Sequence, residues 1–180
     1  KSAGAARGGP LTSKPLALGA LGDKQTFTTI CSTPEFTVIG TQCGELYLCR
    51  DAKLMRVIDA HHGPVTTIGC NASASVIVSG GHDGYVTHWH VGHGFRRTYT
   101  RLIGSESDDT PSSGPVTLTR PNSIRSLDVS TNPMTGAIHE VIVGCVSGSI
   151  LSLPGEDETA APATVVVSHG GDLSTASVVG

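Results

Sequence analysis

The sequence predicts an all-β protein, and three observations carry that prediction. Gly and Pro number 23 and 10 among 180 residues, beside many Val, Thr, Ser and Ile. Val, Ile and Thr favour strands, Ser favours turns, and Gly and Pro interrupt helices. No long stretch shows sustained helical spacing of apolar residues. Finally, one strand-turn-strand pattern is written three times.

The pattern becomes visible when three segments are aligned. Thr37-Val38-Ile39-Gly40 leads to Gly44-Glu45-Leu46-Tyr47-Leu48-Cys49. Ile77-Val78-Ser79-Gly80 leads to Gly84-Tyr85-Val86-Thr87-His88-Trp89, and Val141-Ile142-Val143-Gly144 leads to Gly148-Ser149-Ile150-Leu151-Ser152-Leu153. In each, an apolar strand ends at a Gly, and a second Gly four residues later opens the next strand. Gly44, Gly84 and Gly148 fall at the turn, where a positive φ is expected.

The first two turn glycines lie 40 residues apart and the next pair 64 apart. Removing the polar stretch 104–122 brings the second gap to about 45, the period of a four-stranded propeller blade. Inner strands are expected at Thr26–Ile30, Val65–Ile68 and Ile124–Leu127. Outer strands are expected at Leu54–Ile58, Phe95–Thr100 and Thr164–Val167. The domain plan is then a flexible lead-in over 1–22 and a propeller segment over 23–180. Its blades run over 24–59, 60–103 and 123–168, with 104–122 a loop insertion and 169–180 the start of a fourth. A sector of about three and a half blades leaves open strand edges. Further blades, from the same or another chain, are therefore expected to complete it.

The middle unit resembles the WD40 repeat. His61, in Ala60-His61, stands where that family has the His of a Gly-His pair; Ser79 is the strand hydroxyl, Asp83 the turn aspartate and Trp89 the strand Trp. The resemblance implies a polar relay. The carboxylate accepts from the imidazole, the imidazole meets the hydroxyl, and the hydroxyl meets the indole N–H. The flanking units depart from it. Ile39, Cys43 and Cys49 occupy the Ser, Asp and Trp places in the first, and Val143, Ser147 and Leu153 in the third, so those units must rely on apolar packing.

A closer resemblance is to the echinoderm-microtubule-associated-protein-like (EMAP-like) family. It rests on Gly40-Thr41, Gly44-Glu45-Leu46-Tyr47-Leu48, Arg56 through Val65, Ser123 through Leu127, Val141 through Gly144, and His169-Gly170-Gly171-Asp172-Leu173, in that order. It covers roughly residues 24–180. It implies a non-enzymatic scaffold with protein partners, tubulin or microtubules among them, in the cytoplasm, the cytoskeleton or a flagellar axoneme. The alternative is a general WD40 platform in another assembly, such as ribosome biogenesis, a vesicle coat or a ubiquitin ligase.

Other chemistries fit the residues less well. A net charge of −3 argues against nucleic acid. Arg96, Arg97 and Arg101 come nearest to a basic cluster and read as solvated surface. No apolar run reaches membrane-spanning length. Five Cys without a Cys-x-x-Cys read as free thiols. His82, His88, His90 and His93 are crowded, and His88 and His90 share one strand face, which raises a zinc-dependent activity as a third reading. The only carboxylate near them, Asp83, is committed to the relay, so no metal or cofactor is expected. Ser79, His61 and Asp83 are also the residue types of a hydrolase triad, but the Ser lies within a strand and not on a Gly-x-Ser-x-Gly elbow. No catalytic residue is therefore assigned. Among the few aromatic residues, Phe95 and Tyr99 are the candidates for touching a partner.

Overall fold

The computed structural model describes Pro15, Leu18 and residues 25–103, 122–155 and 164–168. Apart from Pro15 and Leu18 the lead-in, the loop up to residue 121 and the start of a fourth blade lie outside these. The described residues form three four-stranded antiparallel sheets. The first holds β1 (Phe27–Ser32), β2 (Thr37–Thr41), β3 (Glu45–Arg50) and β4 (Lys53–Asp59). The second holds β5 (Val65–Cys70), β6 (Val76–Gly81), β7 (Tyr85–His90) and β8 (Arg96–Leu102). The third holds β9 (Ile124–Thr131), β10 (Ile138–Cys145), β11 (Ser149–Pro154) and β12 (Thr164–Ser168). Each sheet is a simple meander, with strands paired in chain order.

The repetition extends to single residues. In all three sheets the first strand carries an irregularity at its second residue: Phe27 pairs Thr41 and Thr29 pairs Gly40; Val65 pairs Gly81 and Thr67 pairs Gly80; Ile124 pairs Cys145 and Ser126 pairs Gly144. The second and third strands of each sheet are joined by one turn type. Gly44 N donates to Thr41 O, Gly84 N to Gly81 O and Gly148 N to Cys145 O, at 3.2, 3.1 and 3.0 Å. The three glycines have φ of 94°, 82° and 90°, a region costly to a residue with a Cβ. At Gly44 a Cβ would also fall 2.1 Å from the carbonyl oxygen of His61. There the Gly44 carbonyl receives the N–H groups of Ala60 and His61 as the chain enters the second sheet.

The sheets stack face to face. β1 packs on β5, and β5 on β9. Val38 and Leu46 of the first sheet share a core with Val65, Ile77 and Trp89 of the second. Val78 and Val86 on the opposite face of the second sheet share another with Ile124, Val141, Val143 and Leu153 of the third. The glycine that ends each apolar strand makes this approach possible. A Cβ on Gly40 would meet Val65 Cβ at 2.8 Å, and one on Gly80 would meet Ile124 Cγ2 at 2.7 Å. Each missing side chain leaves room for the first residue of the next sheet. The far face of the first sheet carries Ile39, Tyr47 and Cys49, with Leu18 and Val57 packed against them and Ile30 exposed beside Ile39. No closed ring forms among the described residues.

One sequence expectation needs correction. The outer strand of the second sheet starts at Arg96, not Phe95. After a 3₁₀ turn over Val91–His93, Gly94 and Phe95 both take left-handed φ, 73° and 60°, which turns the Phe95 ring inward. Asn122, at the end of the stretch expected as a loop insertion, lies outside the strands and is anchored to the second and third sheets. Its N–H donates to Ile103 O at 2.8 Å and its side chain to Ser147 Oγ at 2.8 Å.

Candidate functional site

The residues with the most chemistry converge where the chain passes from the first sheet to the second. His61 precedes β5, Ser79 lies in β6, Asp83 in the β6–β7 turn and Trp89 in β7. The structure places all four in one hydrogen-bonded chain. Trp89 Nε1 donates to Ser79 Oγ at 2.9 Å, and Ser79 Oγ meets His61 Nε2 at 2.9 Å. His61 Nδ1 meets Asp83 Oδ1 at 3.1 Å. A carboxylate can only accept, so the proton sits on Nδ1 and Nε2 is free to accept from the serine.

Asp83 also receives the backbone N–H of His62 at 2.8 Å and of Tyr85 at 3.1 Å. Burial alone would push its carboxyl up; the bonds from His61, His62 and Tyr85 outweigh burial and hold it below the usual carboxylate range. Ser79 is fully buried and its oxygen is engaged on both sides. That geometry clamps a turn to a strand and offers no exposed nucleophile. Asp83→Ala leaves the His61 and His62 donors without their acceptor. It should cost about 1–3 kcal/mol, read as a lower urea midpoint. Equal midpoints would dismiss the relay as a stabilising device.

The third sheet has a shorter version of this device that sequence reading missed. Asn122 takes the place of His61 and Ser147 that of Asp83. Asn122 Nδ2 donates to Ser147 Oγ, and Ser149 N donates to the same oxygen at 3.3 Å. The signal was a side-chain donor just before the inner strand and an acceptor one residue before the turn glycine. In the first sheet Ile39 and Cys49 are buried in the apolar core instead, and Cys43 is exposed.

The remaining candidates separate. Phe95 is 3% exposed, stacked at 6.1 Å on Trp89 and edge-on to Phe36, and so cannot reach a partner from this position. Tyr99 is half-buried and edge-on to His88 at 5.3 Å. His88 is 2% exposed, its Nδ1 has no hydrogen-bond partner, and burial pushes its pKa down to about 4. Among the described residues no three His, Cys, Asp or Glu side chains stand together to hold a metal ion. All five cysteines are free.

A cleft of about 600 Å³ opens beside the relay. Asp59, Ala60, His61 and His62 line it from the chain linking the first two sheets, and Asp83, Tyr85, Thr87, Arg97 and Thr100 from the second. Arg97 forms its wall. Its guanidinium lies 5.1 Å above the Trp89 ring and donates to Asp59 O at 3.2 Å.

Repeated four-stranded meanders, stacked face to face with a His-Ser-Trp-Asp clamp in one of them, define the architecture. The three sheets are consistent with WD40-type propeller blades. No family model matches the chain. A stretch of 54 residues, 30% of the chain, is 39% identical to actin-interacting protein 1 of Drosophila melanogaster and covers 8% of that protein. This similarity does not single out the EMAP-like family. A general protein-interaction role is consistent with the blades and with this relative.

Proposed function

We propose that this chain is part of a non-enzymatic protein-interaction scaffold that works at cytoskeletal filaments. The observation that carries the reading is the stack of three near-identical blades, in which the densest polar network is consumed in holding a turn. Such a design spends its chemistry on rigidity and offers its rims and edges to partners. The far face of the first blade, with Ile30 exposed beside Ile39 and Tyr47, suits a further blade of the same or another chain.

Two filaments are candidates. The name of the Drosophila relative speaks of actin, and the EMAP-like resemblance speaks of microtubules. Co-sedimentation of the full-length protein with filamentous actin and with polymerised tubulin separates them. Recovery in one pellet is the expected result. Absence from both pellets, with cross-linking only to a ribosomal, coat or ligase assembly, would replace the cytoskeletal reading with the general platform.

A further inference from the structure

The sequence spreads its cations thinly, but the fold gathers some of them. β4 and β8, the outermost strands of the first two blades, carry Lys53, Arg56, Arg96, Arg97 and Arg101 against a single acidic residue, Asp59. Lys53, Arg56, Arg96 and Arg97 are exposed. The two strands are tied across the blade boundary. Arg56 Nη1 donates to the carbonyl of Gly94, and Arg97 Nη2 to that of Asp59. These contacts fix guanidinium groups in place without neutralising them.

We propose that this outer rim, with the cleft it borders, is the docking surface for an acidic, extended protein segment. Arg97 is the anchor: stacked on Trp89 and held by one carbonyl, it keeps its remaining donors for a carboxylate. Tyr85 and Thr100 line the same cleft and offer hydroxyl groups to the segment's backbone; of the two carboxylates that also line it, Asp59 and Asp83, the latter is already engaged by His61, His62 and Tyr85. A protein partner fits better than nucleic acid. The molecule carries a net charge of −3, which repels a long polyanion beyond the patch. The exposed residues of β4 and β8 also include no aromatic ring on which a base could stack.

The inference rests on the scaffold reading and names its partner's chemistry. Its test is fluorescence anisotropy of the full-length protein with a short labelled peptide of alternating Glu and Ser. A single-stranded oligouridylate of equal charge runs in parallel. Binding that weakens with salt is expected, with about fivefold loss for Arg96→Glu or Lys53→Glu. Arg125→Glu, an exposed position on β9 with the same charge change, should leave the affinity within about twofold. Circular dichroism melting confirms that each variant is folded. Equal loss in Arg125→Glu, no peptide binding, or tighter binding of the oligouridylate would each overturn the proposal. If the peptide fails while filament co-sedimentation persists, the rim proposal falls alone; if both fail, the cytoskeletal reading falls with it.

Discussion

Trp89→Ala should lower the unfolding free energy by about 3–5 kcal/mol, the largest loss expected from any single side chain of the relay. Trp89 is 2% exposed, and it closes the core shared by the first two blades. Phe95 stacks on one part of the indole, Arg97 covers the ring, and the indole N–H feeds Ser79. Truncation removes all three contacts at once and leaves a cavity between blades. Trp89→Phe keeps most of the packing and loses chiefly the N–H bond, so it should cost only about 1–2 kcal/mol. Urea titrations followed by circular dichroism measure both, since Trp89 is the sole tryptophan and its fluorescence disappears in either variant. Equal losses in the two variants would show that the hydrogen bond, and not the packing, holds the blades together.

The second large effect is set by pH. His88 is buried on the face of the second blade opposite Trp89, beside Tyr99, and burial lowers its pKa from 6.5 to about 4. The unfolded chain takes up the proton first. Stability is therefore full above pH 6.5, falls as the pH drops from 6.5 to 4, and levels off for this group below 4. The fall integrates to about 3 kcal/mol. His88→Leu removes the titrating group, whose Nδ1 has no hydrogen-bond partner. Urea midpoints of the two proteins should diverge steadily across that window. Parallel curves would remove His88 as the cause. Asp83 acts in a separate, more acidic window. Its carboxyl is held low, so its contribution is present above its ordinary pKa of 3.8 and is lost as the pH falls through the lower folded value.

What could be read from the residues alone follows from which signals are local. Gly44, Gly84 and Gly148 announced the turns because positive φ is a property of one residue and its nearest neighbours. The apolar runs 38–39, 77–78 and 141–143 announced second strands because burial on both faces leaves few polar residues. The relay was legible because its members are residue types with fixed donor and acceptor roles. The Asn122–Ser147 pair used the same logic with less distinctive residues and was overlooked. Phe95 misled because its position in the chain suggests an exposed strand start, and only two consecutive left-handed residues reverse its direction.

The sequence by itself therefore determined the all-β class, the repeat of about 40 residues, the turn positions and the members of the polar clamp. All of these depend on backbone preference and hydrogen-bonding type over short spans. Only the tertiary structure decided that Gly40 and Gly80 make room for the next blade, that Phe95 is core, and that Arg56 and Arg97 meet across a blade boundary. The physical reason is one of range. Strand periodicity records which side of a sheet a residue faces, whereas the neighbour it meets there comes from another sheet dozens of residues away, and stacking alone selects it.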